Sequence, residues 1–184
     1  MAKSKKNNQM GLILNIIIIA LAVLTVCTLF MPIFKSTTVA TDIATSATGA
    51  DGIKAMFAGD WDAVEGGSAL LYGFKVAEDT AFVTNVALWG YFLTVLVSVA
   101  TLVFAVLNVL GMKFKLVNTV LGIALVILAL VTFIFAIVVA SKNTAIKDSF
   151  LGDVGVKCVI HIGMYFLIAT MACGGLQVFQ AKRK

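Results

Sequence analysis

Four long stretches of this chain contain no Asp, Glu, Lys or Arg, and this feature constrains its fold more than any other. They cover residues 11–33, 82–110, 116–140 and 158–179. A helix needs about 20 mainly apolar residues to cross the roughly 30 Å hydrocarbon layer of a bilayer. Each stretch meets that requirement, and only 12% of the 184 residues are charged, against about 25% in a soluble domain. The sequence therefore predicts one integral membrane domain over residues 1–184, an all-α four-transmembrane-helix bundle.

The first stretch follows a lysine-rich start and resembles an export signal. A signal peptide, however, has an apolar region of about 7–15 residues that ends at a small-residue cleavage site. The apolar run here is longer, and residues 29–32 (Leu-Phe-Met-Pro) offer no such site. The sequence "LTVC" ending at Cys27 resembles a lipoprotein cleavage box, but bulky Val26 stands where a small residue is required. We therefore expect a retained first span, with Cys27 as an ordinary thiol in a helix.

Lysine and arginine placement predicts the orientation of the spans, because cytoplasmic segments of membrane proteins are enriched in both. The two termini and the short hairpin "GMKFK" carry eight basic residues and no acidic residue. The two remaining segments, residues 34–81 and 141–157, carry six basic residues and all nine acidic ones. Both termini are therefore predicted to be cytoplasmic in a cell membrane. The two outer segments contain no cysteine pair and no N-x-S/T sequon, which favours the bacterial cytoplasmic membrane. The net charge of +5 sums two opposite faces and does not indicate nucleic-acid binding.

Small and polar residues recur at helical spacing along the predicted spans. Helices in lipid associate through close packing, small residues and polar contacts, so these positions are expected to face the bundle interior, with Val97 on the lipid side. The predicted helix-packing residues are Gly90, Thr94, Ser98, Gly122, Gly163 and Gly174. Such faces also line transport pathways, but ion coupling usually involves charged residues inside the membrane, and the predicted spans contain no Asp, Glu, Lys or Arg.

The segment 34–81 is too long for a simple connection and predicts a small extracytoplasmic α/β cap formed by the first outer loop. The β-branched "KSTTVATDI" alternates as a strand does. "DGIKAMFAG" predicts a short helix that Asp51 caps and Gly59 ends. "ALLYGFKVAEDT" predicts a second strand, and the second outer loop, residues 141–157, is expected beside the cap.

Four apolar residues of the cap form the candidate interaction surface: Ile53, Met56, Phe57 and Trp61. The first three share a helix face at spacings i, i+3 and i+4. In one interpretation all four residues pack on the outer end of the bundle. In the other some stay exposed as a contact for a partner or for lipid. The aromatics Trp89, Tyr91 and Tyr165, near the outer ends of their spans, are typical of the membrane interface.

Sequence motifs for catalysis or metal binding do not emerge. Asp60, Asp62 and Glu65 are close together, but D-W-D-x-x-E lacks the full calcium-loop pattern, so a solvated acidic turn is expected. The one histidine, His161, is predicted about one turn inside the fourth span. The chain has no C-x-x-C, and its three cysteines are predicted inside spans or at a span end. We therefore expect no catalytic residues, no cofactor and no metal.

The layout of one span, an outer loop with "DGIKAMFAGD" and three further spans resembles uncharacterised small four-helix membrane proteins of Gram-positive bacteria. Those often carry D-G-x-x-x-x-F-x-G after the first span, which here runs from Asp51 to Gly59. The resemblance implies no activity. The layout is also similar to that of claudin-like tetraspan proteins, but the claudin signature of G-L-W and two cysteines is missing from the first outer loop, so junction function is not implied.

These observations together predict a non-catalytic tetraspan protein that acts in interaction, assembly or scaffolding through its extracytoplasmic cap. The expected partners are the lipid bilayer and either a second copy of the chain or another membrane protein. Two alternatives from other classes are a subunit of a transporter or channel complex, and a membrane enzyme. The first predicts a larger complex or an enclosed water path, and the second predicts a polar cavity with converging titratable groups.

Overall fold

Five α-helices and four β-strands make up the described part of the chain. The structure, a computed structural model, describes residues 2–38, 44–58, 81–112, 114–142, 145–149 and 152–182. The helices are α1 (Ala2–Cys27, followed by a 3-10 turn at Thr28–Phe30), α2 (Gly49–Ala58), α3 (Ala81–Val109), α4 (Lys115–Lys142) and α5 (Ile162–Lys182). The strands are β1 (Pro32–Thr38), β2 (Ala44–Thr48), β3 (Ala145–Ser149) and β4 (Gly152–Ile160).

Four of the helices are long and apolar enough to cross a membrane, which confirms the number predicted. These segments are Gln9–Phe30, Phe82–Val109, Lys115–Lys142 and Ile162–Lys182. The first helical segment ends at Phe30, because Pro32 cannot donate a backbone hydrogen bond and instead begins a strand. The fourth begins at Ile162 rather than at Cys158, since residues 158–160 belong to β4. A short apolar run such as "CVI" suits a strand as well as a helix.

A four-stranded antiparallel sheet has the order β2-β1-β4-β3. Its central pair joins distant parts of the chain, with Phe34 opposite Ile160 and Lys35 opposite Val159. The sheet therefore draws on both predicted outer loops, and not on the first loop alone as the sequence predicted. The predicted strand "ALLYGFKVAEDT" lies outside the described residues.

The chain divides into two compact units. The helical unit comprises Met1–Val26, Leu93–Leu130 and Leu167–Lys184, and the sheet unit comprises Cys27–Phe92 and Val131–Phe166. In the helical unit a buried core forms from α1, α3, α4 and α5 and contains Ile18, Ala22, Ala105, Leu125 and Cys173. Val97 is half-buried against this core, so its prediction as a lipid-side residue is wrong. Val99, which is 42% exposed, occupies the outward face instead.

In the sheet unit, buried Ile33 and Phe34 lie on β1. The backbone N–H of His161 donates to the carbonyl of Ile33 at 2.9 Å, which fixes the join between β4 and α5. His161 thus precedes the fourth helix, and does not lie one turn inside it as predicted. A Cβ atom on Gly163 would lie only 2.9 Å from the carbonyl oxygen of Pro32, so a glycine lets α5 approach β1.

Candidate interaction surface

Helix α2 begins with two reciprocal hydrogen bonds between Thr48 and Asp51. The backbone N–H of Thr48 donates to Asp51 Oδ2 at 3.1 Å, and the backbone N–H of Asp51 donates to Thr48 Oγ1 at 3.2 Å. The Thr48 hydroxyl also donates to the same carboxylate oxygen at 2.6 Å. This is a capping box, with Thr48 at the N-cap and Asp51 three residues later. The sequence predicted Asp51 at this helix start but missed Thr48, which the pattern T-x-x-D contains.

Two glycines allow α2 to pack closely against the segments beside it. The backbone N–H of Gly49 donates to the carbonyl of Met31 at 3.2 Å, and a Cβ atom on Gly49 would overlap the ring and hydroxyl of Tyr91. A Cβ atom on Gly52 would lie 3.0 Å from Leu88 Cδ2. The glycine face of α2 therefore packs against α3 and against Met31 after the 3-10 turn, at positions where a larger residue does not fit.

Tyr91, which Gly49 contacts, is itself held in place by a buried hydrogen bond. Its side chain is fully buried, and its hydroxyl is 2.8 Å from the hydroxyl of Thr28. The sequence predicted Tyr91 as an aromatic of the membrane interface, and the structure places its ring inside the protein and not on an exposed face. A hydroxyl that is buried needs a hydrogen-bond partner, and Thr28 in the turn after α1 provides one.

Near its C-terminal end, α2 contributes Phe57 to a cluster of three aromatic rings. The ring of Phe57 lies 5.8 Å from that of Trp89 and 5.3 Å from that of Phe92, both edge to face. Trp89 and Phe92 contact each other at 6.0 Å. Phe57 nevertheless remains 62% exposed and Trp89 45% exposed. We call Phe57, Trp89 and Phe92 the aromatic cluster.

The four residues of the predicted interaction surface have different environments. Ile53 and Met56 are half-buried and Phe57 is exposed, while Trp61 lies outside the described residues. The part played by Trp89 and Phe92 was missed, because nothing in the spacing along the chain relates residue 57 to residues 89 and 92. The structure thus brings one predicted surface residue together with two residues of α3.

The predicted helix-packing residues lie mostly at buried positions. Thr94, Ser98, Gly122, Gly163 and Gly174 are buried, and Gly90 is half-buried. Gly122 and Gly174 lie at a close crossing of α4 and α5. A Cβ atom on Gly122 would lie 2.7 Å from the Gly174 carbonyl oxygen, and one on Gly174 would lie 2.5 Å from the Gly122 carbonyl oxygen.

Polar side chains form interhelical contacts in the same unit. The hydroxyls of Thr25 and Thr170 are 2.8 Å apart, and Thr101 Oγ1 donates to Gln177 Oε1 at 3.3 Å. Gln177 Nε2 and Asn118 Oδ1 are buried and have no hydrogen-bond partner among the described residues. Such groups hold helices together in lipid, and they also give this interior its polar character.

The possible metal ligands among the described residues do not form a cluster. No three His, Cys, Asp or Glu side chains there lie close enough to hold a metal ion, while Asp60, Asp62 and Glu65 fall outside the described ranges. Cys27, Cys158 and Cys173 are all described, and none forms a disulfide. Burial raises the pKa of the Cys158 thiol to about 11, so at neutral pH it is a neutral side chain.

The described residues therefore form four long apolar helices together with a small unit that combines a β-sheet and a helix. No protein-family model, curated protein or solved structure matches this chain.

Proposed function

We propose that this chain is a multi-pass membrane protein with cytoplasmic termini, and that its sheet unit acts on the extracytoplasmic side in interaction or assembly. Large apolar side chains point outward on all four long helices, as a lipid-facing surface requires, for example Ile13, Leu96, Ile127 and Ile168. The distribution of basic residues supports the orientation.

The observation that carries the interaction role is the arrangement of α2. Its glycine face is fixed by close contacts at Gly49 and Gly52, while Phe57 and Lys54 on other faces are exposed. A rigid element that presents an exposed aromatic ring suits binding, because aromatic residues contribute disproportionately to binding energy. The candidate surface is therefore Ile53, Met56 and Phe57, extended by Trp61 along the chain.

Photo-crosslinking in intact membranes tests this role. We expect benzoylphenylalanine at position 56 or 61 to form adducts with a second copy or with another membrane protein. The matched control is the same group at Ile127, which is 55% exposed and lies on the proposed lipid face. Failure of both positions 56 and 61 to give a protein adduct, with a monomer in native mass spectrometry, would refute the proposal.

A transporter or channel subunit is the second candidate function, and the polar interior of the helical unit favours it. Thr94, Ser98, Thr101 and Gln177 are all at most 2% exposed, and Gln177 Nε2 has no partner among the described residues. This candidate predicts ion or solute flux in proteoliposomes that Gln177→Leu abolishes. The interaction role predicts that the same variant leaves adduct formation at positions 56 and 61 unchanged.

A further inference from the structure

Helix α3 is longer than is needed to cross the hydrocarbon layer of a bilayer. Its length therefore indicates the depth in the membrane at which the aromatic cluster lies. The helix has 29 residues, so it is about 43 Å long, whereas the hydrocarbon layer needs about 20 residues. The tight hairpin after Val109, with Gly111 at φ 96°, and the lysines beside it mark the cytoplasmic boundary. Counting about 20 residues back from Val109 reaches Gly90, next to Trp89.

A second aromatic pair lies at the same level on other helices. Phe133 of α4 and Tyr165 of α5 have their rings 6.3 Å apart, and Tyr165 is 51% exposed. Measured along each helix from its proposed cytoplasmic end, Trp89, Phe133 and Tyr165 all lie about 25–30 Å away. Aromatic residues are enriched where the hydrocarbon layer meets the headgroups. The length of α3 and the position of this aromatic pair therefore indicate the same membrane depth for the boundary between hydrocarbon and headgroups.

Helix α2 presents the features of a helix that lies on a membrane. Phe57 projects from it into contact with Trp89 of α3, which shares an exposed helix face with Leu93 and Leu96. The exposed rings of Phe57 and Trp89 thus form one apolar surface. Lys54, one turn before Phe57 on α2, is also exposed, and a lysine at this level can reach lipid phosphates.

We propose that Phe57, Trp89 and Phe92 contact the lipids of the outer leaflet at the boundary between headgroups and acyl chains, and that α2 is an interfacial helix. This inference rests on the proposed membrane placement and assigns lipid to the aromatic part of the candidate surface. The aromatic cluster holds the sheet unit at a fixed height on the membrane.

Tryptophan fluorescence in lipid vesicles tests the assignment directly. The chain has two tryptophans, so Trp61→Phe and Trp89→Phe together give a background without either. Phe57→Trp in that background places one indole in the cluster. The full-length variant is reconstituted in phosphatidylcholine carrying bromine either near the glycerol end or near the methyl end of its acyl chains. We expect greater loss of emission with bromine near the glycerol end, and weak quenching by aqueous acrylamide.

Two control positions in the same background separate the possible failures. Ile127→Trp reports on the proposed lipid face and should lose most emission with deep bromine. Ser46→Trp, at an exposed position of β2, should respond to acrylamide and to neither brominated lipid. If Ile127→Trp is not quenched by bromine, the proposed membrane placement fails. If it is quenched and Phe57→Trp is not, the lipid assignment alone is overturned.

The native Trp89 gives a second measurement that does not depend on a new aromatic residue in α2. In the chain carrying only Trp61→Phe, Trp89 is the sole tryptophan, and it should show the same preference for bromine near the glycerol end. Strong acrylamide quenching of Trp89 would place the cluster in water. The absence of quenching by either agent would place it under protein. Both results would overturn the inference.

Discussion

Gly49 lies so close to Tyr91 that a Cβ atom on the glycine would overlap the tyrosine hydroxyl. That hydroxyl is held by Thr28 at 2.8 Å and is fully buried, so it cannot move without losing its hydrogen bond. The backbone N–H of Gly49 is in turn tied to Met31. The start of α2 is therefore held in one position, and this determines which face of α2 is exposed.

Gly49→Ala should destabilise the protein by roughly 1–3 kcal/mol, because the added methyl group overpacks a closed contact. The change should appear as a lower melting temperature of the purified protein in detergent. Gly175→Ala is the matched control, since nothing lies within 4 Å of its added Cβ atom and alanine favours a helix. Equal melting temperatures for the two variants would show that α2 is not seated as described.

Gly122→Ala should cost more than Gly90→Ala, although both added methyl groups meet an atom at close range. At Gly122 the obstacle is the backbone carbonyl oxygen of Gly174 at 2.7 Å, which moves only if the helix moves. At Gly90 it is Thr132 Oγ1 at 2.5 Å, which a change of side-chain rotamer removes. We expect a loss of about 1–3 kcal/mol for the first variant and a smaller loss for the second, measured by thermal unfolding. The reverse order would contradict the helix crossing.

Ser98→Leu should overpack the helical unit at a cost of roughly 1–3 kcal/mol. Ser98 is fully buried, and its hydroxyl donates to the carbonyl of Thr94 at 2.8 Å. Val99→Leu is the control, because Val99 is on the outward face of the same helix and should tolerate the change. Unfolding of both variants in one detergent gives the comparison. Similar tolerance at the two positions would mean that α3 is rotated about its axis.

Cys158 should make the stability of the protein depend on pH in the alkaline range. Burial raises the pKa of its thiol from 9.0 to about 11, so the unfolded chain loses this proton at lower pH than the folded one does. The stabilisation is thus fully present below about 9 and is lost as pH rises towards about 11. Denaturant unfolding across this interval should show the decline, and Cys158→Ala should reduce its slope. An unchanged slope would remove Cys158 as the cause.

Thiol labelling in intact cells should report the proposed orientation. In a chain whose three native cysteines are replaced by alanine, Ser46→Cys should react with a reagent that does not cross membranes. Lys115→Cys, beside the predicted cytoplasmic hairpin, should react only after the membrane is made permeable. Reaction of Lys115→Cys from outside would reverse the topology and refute the proposed side for the sheet unit.

The sequence by itself determined the features that depend on local composition and spacing. The four long apolar helices follow from their length and from the absence of charged residues, since hydrophobicity is read along the chain. Helix α2 follows from Asp51 at its start and from the spacing of Ile53, Met56 and Phe57. The exposed Phe57 in the candidate surface was one of two interpretations that the sequence left open.

Only the tertiary structure decided which distant segments meet. Phe34 pairs with Ile160, so residues predicted to begin a span form a strand, because a short apolar run adopts the conformation that its partner can hydrogen-bond. Tyr91 is buried because Thr28 satisfies its hydroxyl. Phe57 meets Trp89 because glycines allow α2 to approach α3. Pairing and close packing depend on contacts between residues far apart in the chain, and the spacing of residues along the sequence does not contain that information.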